Sequence, residues 1–276
     1  MTRAIRGVWL GRRRYEPVHA LQENLLAARQ AGRVGDTVLF VEHDPVVTFG
    51  RGGHAEHLLV PAQSLAELGV DLVRTGRGGD VTLHLPGQLV AYPIFDLAPD
   101  RRDVRRYVGD LTETMRRLSS ELGVESGKHE KHVGLWADRA SPRAFAESRE
   151  ARDLVKIGAI GVRISRWVTM HGFALNLSPD LSLYRFIVPC GIREHGVSSL
   201  AALGGTPVAV LAAARRSLEI FADVFAARLE RFDDRSEEPL ETSRVGEHGL
   251  ESKLRIEPDL VDFAGGRALK DARTDP

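Results

Sequence analysis

The stretch Arg77-Gly78-Gly79-Asp80-Val81-Thr82-Leu83-His84-Leu85-Pro86-Gly87-Gln88-Leu89-Val90-Ala91-Tyr92-Pro93-Ile94-Phe95 decides the fold class. A glycine-rich turn at 76–79 precedes two extended runs, Val81 to His84 and Leu89 to Phe95, rich in the residues that fill pleated surfaces. Only Leu85, Pro86, Gly87 and Gln88 stand between them, too few residues for a helical crossover, so neighbouring strands run antiparallel. Upstream, TVLFVE and VVTFG within Thr37 to Phe49 are two further strands, broken at Asp44-Pro45, where proline disfavours a helix. Before them Val18, Leu21, Leu25 and Ala28 recur at helical steps between Pro17 and Ala31. A short helix near Ser64 to Leu68 leads into an extended segment at Asp71 to Thr75.

Downstream, Asp103 caps a helix whose stripe is Val104, Tyr107, Val108, Leu111, Met115, Leu118 and Leu122, ending before Gly123. Strands follow at His132 to Ala137, Val155 to Ile164 and Thr169 to Leu177, the first two separated by a polar hairpin loop, Asp138 to Arg152. A last helix starts at Thr206-Pro207 with Leu211, Leu218, Phe221 and Phe225 on one face. Strands outnumber helices, and the expected class is α+β (α/β in loose naming): a mixed, largely antiparallel sheet with packed helices. One domain is expected over 1–229, with 230–276 a charged, flexible tail.

At 276 residues and 43% hydrophobic, the chain is long enough to bury a full core. Lys+Arg and Asp+Glu are both 38, so no overall field points to nucleic acid or an anionic membrane. The N-terminus lacks an apolar leader and no run is long enough to span a bilayer, so a soluble, unexported chain is expected. A single cysteine excludes an intrachain disulfide and suits a reducing cytoplasm. There are ten histidines but no CxxC or HExxH spacing, and no metal is expected. A GxxxxGK[ST] phosphate loop is absent.

Three stretches hold polar groups that a plain core does not need. Paired Gly78 and Gly79 let a backbone approach a ligand, with Arg77 and His84 at either end; alone, the stretch also reads as a structural turn. Lys156 opens the small, apolar run Lys156 to Arg163, where a solvated strand-end lysine is the bland reading. Cys190 lies between Pro189 and Gly191, which place it in a turn, although an unpaired cysteine is commonly a small buried hydrophobe. His171, Gly172 and Asn176 interrupt another apolar strand and read equally well as satisfied core groups.

Taken in order, VEHDPVVTFGR (Val41 to Arg51), RGGDVTLHLPGQLVAYPIFDL (Arg77 to Leu97), KIGAIGVRISRWVTMHGFALNL (Lys156 to Leu177) and DLSLYRFIVPCGI (Asp180 to Ile192) resemble the lipoyl(octanoyl) transferase family. The resemblance implies the fold of biotin and lipoate protein ligases, a catalytic thiol at Cys190 and a partner lysine at Lys156. It also implies an acyl site lined by Arg77, Gly78, Gly79, Asp80, Val81, Thr82, Leu83 and His84, together with Ala159, Ile160 and Gly161 and with Gly172, Phe173 and Ala174. The implied reaction moves octanoyl from acyl carrier protein to a lysine of the lipoyl domains of 2-oxoacid dehydrogenase E2 subunits and the glycine cleavage H protein. No cofactor is implied, and a cytoplasmic monomer is expected. Leu85 departs from the family's usual glycine, which bears on acyl length. The rival readings are an ATP-dependent lipoate or biotin protein ligase, an amidotransferase moving lipoyl groups between proteins, and a non-catalytic module that binds carrier domains.

Overall fold

The structure, a computed structural model, describes residues 3–192 and 194–240. In chain order the strands and helices are β1 (Ala4–Arg13), α1 (Tyr15–Gln30), β2 (Asp36–His43), β3 (Val46–Phe49), α2 (Ala62–Glu67), β4 (Asp71–Arg74), β5 (Val81–His84) and β6 (Gln88–Ile94). Then come α3 (Val104–Glu121), β7 (Leu135–Asp138), β8 (Leu154–Ser165), β9 (Val168–Asn176), β10 (Gly196–Val197), α4 (Val210–Val224) and β11 (Arg228–Asp234).

The main sheet has eight strands in the order β10-β8-β9-β6-β2-β1-β11, with β7 also paired to β8. Its centre, β2-β6-β9-β8, is antiparallel, although only β8 and β9 are joined by a short turn; the short link after His84 carries the chain from β5, which lies in a second sheet, into β6 without pairing the two. Its margins supply the parallel pairs of the expected mixed sheet: β1 pairs parallel with both β2 and β11, and β10 pairs parallel with β8. α1 carries the chain back from β1 to β2 and α4 leads into β11, whereas β8 is followed by β9 and the turns at 181–191 before β10 returns beside it. β3 does not continue the main sheet. It forms a second sheet, β4-β3-β5, because the break at Asp44-Pro45 turns the chain out of the first.

Each face of the main sheet buries a different core. On one side α3 and α4 place Tyr107, Leu111, Leu118, Leu218 and Phe221 against Phe40, Phe173 and Leu175. On the other, α1 sets Val18, Leu21 and Leu25 against Val41, Val90 and Met170. A third core, with Val47, Phe49, Leu65, Val81, Leu83 and Leu85, backs the small sheet. Asp103 caps α3 as its sequence implies, accepting from Arg105 N at 2.8 Å and Arg106 N at 3.0 Å. Val104, expected on the apolar stripe of α3, is exposed at its first turn.

Two expected boundaries move. β7 begins at Leu135, not His132, since Gly134 takes a φ of 139° and is pressed against Gly158 and Lys156. The domain does not end at 229. Arg228–Asp234 forms an edge strand whose Phe232 stacks on Phe40 at 6.1 Å and whose Asp233 pairs with Arg6 at 2.5 Å. Its charges face water on one side only, which is why the segment reads as tail in composition alone. The remainder of that expected tail, 241–276, lies outside the described residues. Among the described residues no helix is long and apolar enough to cross a membrane.

Candidate active site

Between the small sheet and the α1 face of the main sheet lies an open cleft of about 450 Å³. β5 supplies one wall through the pleat. Val81 and Leu83 point into the third core, whereas Thr82 and His84 line the cleft. Of the residues expected at an acyl site, Val81 and Leu83 therefore back the wall instead of facing a ligand. Leu85 also packs in that third core, away from the cleft lining. The opposite wall is the β8–β9 pair, at Ala159, Ile160 and Gly161 and at Gly172, Phe173 and Ala174.

The Arg77–Asp80 loop closes the cleft between these walls. Gly78 does not line it but donates its N–H to Val162 O at 2.9 Å, tying the loop to β8. The approach is tight enough that a Cβ on Gly161 would sit 2.9 Å from Gly78 O, so this position takes glycine. Arg77 is buried and braces the loop from within. Its guanidinium donates to Thr48 Oγ1 at 2.9 Å and to Gly78 O at 3.1 Å.

Lys156 and the cysteine-bearing turn meet at one end. Lys156, 6% exposed, sits on β8 beside Trp136 of β7, with its Nζ 5.5 Å from the indole centroid. Desolvated against an aromatic face, an ammonium gains cation–π attraction of about 2 kcal/mol. On its other side β10 pairs with β8, bringing Val197 opposite Lys156. A narrow recess lined by Lys156, Asn176, Tyr184 and Pro189 shares Thr82, Ala159 and Ala174 with the larger cleft. The channel thus runs from Lys156 and Pro189 along β8 and β9. Cys190 is the middle residue of the single helical turn Pro189–Gly191, directly after the recess-lining proline.

That turn is held from the small-sheet side. Val188 N donates to His57 O and Leu59 N to Phe186 O, both at 2.8 Å. Asp80 accepts from His54 N at 3.1 Å, and the His57 ring lies against its other oxygen. A Cβ on Gly191, whose φ is 70°, would come within 3.0 Å of that same Asp80 oxygen. Asp80 therefore touches both the cleft and the residue after Cys190.

At the polar far end of the cleft Tyr15 and Tyr92, which the sequence did not single out, join His84 and His171, the latter left open there as a possible core group. His43 sits behind them and its tautomer follows from its partners. Arg13 O can only accept, so Nδ1 donates to it at 3.0 Å, and Nε2 accepts from the Tyr92 hydroxyl at 2.9 Å. Burial pushes His43 down to about 4 and His84 well below the ordinary value, and raises Tyr15 and Tyr92. The only signal in the sequence was a cluster of histidines and tyrosines too scattered along the chain to read together. Asn176 is a satisfied group, accepting from Gln88 Nε2 at 2.9 Å and donating to Ser198 O at 2.8 Å.

Among the described residues no group of three His, Cys, Asp or Glu side chains is placed to hold a metal ion. The two-sheet frame around this channel is the lipoate protein ligase fold. A lipoate protein ligase of T. acidophilum solved with lipoic acid aligns with a TM-score of 0.63 at 17% identity, covering 87% of this chain and 93% of that one. Lipoate-protein ligase A solved with ATP aligns equally, at 0.63 and 16%, over 87% and 92%. Residues 14–222 match the lipoyl protein ligase A/B catalytic domain. The chain is 45% identical over 195 residues to the octanoyltransferase of Solibacter usitatus, covering 71% of this chain and 81% of that protein. With the Myxococcus xanthus octanoyltransferase it shares 44% over 191 residues, 69% of this chain but only 51% of that longer protein. The chain belongs to the lipoyl protein ligase A/B catalytic family, on its octanoyltransferase branch, and is an acyltransferase.

Proposed function

We propose that the chain moves an octanoyl group from acyl carrier protein, through a thioester on Cys190, to a lysine of lipoyl domains. A thiolate attacks the donor's carbonyl carbon, a new carbon–sulfur bond forms, and the carrier's sulfur leaves and is protonated. Thioester replaces thioester, so the activation of the acyl group is conserved. An acceptor lysine then attacks the acyl-enzyme; the amide forms and the Cys190 sulfur departs.

Both steps need a proton manager, and Lys156 is our candidate. An ammonium about 4 Å from a thiolate gains about 4 kcal/mol at an effective dielectric near 20, enough to ionise a thiol at neutral pH. Lys156 gives its proton to the departing carrier thiolate in the first step and, left as an amine in the recess, takes the proton of the incoming acceptor lysine in the second. The observation that carries the reading is the burial of Lys156 in the recess that Pro189 also lines. The donor chain runs along the Ala159–Gly161 wall into the cleft. The acceptors fitting this chemistry are the lipoyl domains of 2-oxoacid dehydrogenases and the glycine cleavage H protein, met in the cytoplasm by a monomer.

Lys156→Ala, measured with octanoyl carrier protein and a lipoyl domain, should lower transfer by about 10²- to 10⁴-fold, the usual size of general acid–base assistance. Near-normal transfer by that variant removes the lysine from the mechanism. Product made from ATP and free octanoate, with none from the carrier donor, would instead favour a ligase.

A further inference from the structure

His171 stands at the far end of the channel from Lys156 and has features that the transfer chemistry does not use. Alternation along β9 sends Phe173 and Leu175 toward α3 and α4, and Met170 and Ala174 toward α1. By parity residue 171 belongs with Phe173. Its φ of 59° turns the ring to the α1 side instead, where it meets His19 at 5.5 Å and Tyr92 at 6.4 Å. A left-handed conformation in a non-glycine strand residue is strained and persists only where its surroundings impose it. Here the His171 N–H is held by Gln22 Oε1 at 2.9 Å.

The ring is 1% exposed and lines the cleft, yet among the described residues neither nitrogen has a hydrogen-bond partner. Nδ1 of His84, also on the cleft lining, is unpartnered too. A buried nitrogen left without a partner is costly, so strain and unmet hydrogen bonding coincide at one place. Burial, with His19, Arg77 and Arg163 nearby, lowers the His171 ring to about 3, leaving one N–H donor and one acceptor nitrogen. The neighbouring His43 and His84 are uncharged as well, and Tyr15 and Tyr92 keep their protons. Arg77 also lines the cleft, but its guanidinium donates to Thr48 and Gly78 O, so the unmet groups are neutral ring nitrogens, which a hydroxyl, both donor and acceptor, matches.

We propose that His171 and His84 form a binding position for a hydroxyl at the distal end of the acyl chain, so that the enzyme transfers ω-hydroxyacyl groups as well as plain ones. The proposal rests on the acyl-transfer reading. Along β8, Lys156 and Val162, the register partner of His171, are six residues or about 20 Å apart. An extended eight-carbon chain is roughly 9 Å long and stops short of that, so ω-hydroxylated chains of about twelve and eighteen carbons, roughly 14 and 21 Å, bracket the reach to the ring.

The test is the ratio of transfer rates for ω-hydroxy and plain donors on carrier protein, at each length, within one enzyme preparation. Wild type should accept at least one ω-hydroxy donor, and His171→Phe should lower that ratio about three- to ten-fold. The ratio does not depend on the active fraction, and His84→Phe reads the same quantity should His171→Phe fail to fold. An unchanged ratio, or rejection of every hydroxylated donor by a wild type that transfers octanoyl, means that solvent alone meets these nitrogens and overturns the proposal. If wild type transfers no acyl group at all, the acyl-transfer reading fails separately. Calorimetry with 8-hydroxyoctanamide and octanamide then decides this position: tighter binding of the hydroxylated amide, lost in His171→Phe, supports it, and equal binding overturns it.

Discussion

His43 and His171 are uncharged in the folded chain because burial lowers them to about 4 and about 3 from an ordinary 6.5. An unfolded chain binds a proton at each as the pH drops below about 6.5, while the folded chain does not until about 4 or 3. Stability is therefore fully present above pH 6.5 and falls on acidification, with a slope approaching about 1.4 kcal/mol per pH unit for each histidine. Urea midpoints measured from pH 7.5 to 5 should decline below 6.5, and a flat profile contradicts neutral histidines in the native state. Asp80 offers a second prediction at this scale. It joins His54 and His57 to the backbone at Gly191, so Asp80→Ala should loosen the cysteine-bearing turn and reduce transfer about ten-fold or more. Asp80→Asn, which keeps an acceptor for His54 N, should retain more activity than Asp80→Ala; the reverse order argues that the carboxylate does not position the turn.

At the scale of elements, the pleat explains what was legible in the sequence. Val81 to His84 and Val155 to Ile164 were readable as strands, and the paired glycines at 78 and 79 flagged a close backbone approach. Which residues face the ligand was not readable from the segment as a block, since alternate side chains of β5 enter different cores. β1 escaped notice because Arg6 and Arg12 interrupt its apolar run, although Ile5, Val8, Trp9 and Leu10 are buried. β11 escaped because an edge strand needs only one apolar face, here centred on Phe232. Ending the chain at Ala227 should therefore expose Phe40 and leave Arg6 without Asp233, lowering the melting temperature by several degrees. An unchanged melting curve contradicts a structural role for β11. Asp103→Ala should cost α3 about 1 kcal/mol in denaturant unfolding, the usual value of an N-cap, and no change would mean the cap is redundant.

Across the whole molecule, two sheets make one channel, and neither would do so alone. The main sheet carries Lys156 and the β8–β9 wall, while the small sheet carries the Arg77–Asp80 loop, His84 and the contacts that hold the Pro189–Gly191 turn. Four sequence segments far apart in the chain thus converge, which is why they are recognisable as blocks and why their geometry is not. The separation of β3 from β2 into another sheet, which opens the cleft, follows from a turn direction that Asp44-Pro45 permits but does not specify. The central claim, that acyl groups pass through this channel on the Cys190 sulfur, is tested most directly by intact-mass and peptide mapping after incubation with octanoyl carrier protein. One octanoyl adduct on the Cys190 peptide is expected, absent in Cys190→Ser and discharged when a lipoyl domain is added. Full transfer by Cys190→Ser, or an adduct that maps elsewhere and is chased to product, would contradict the account.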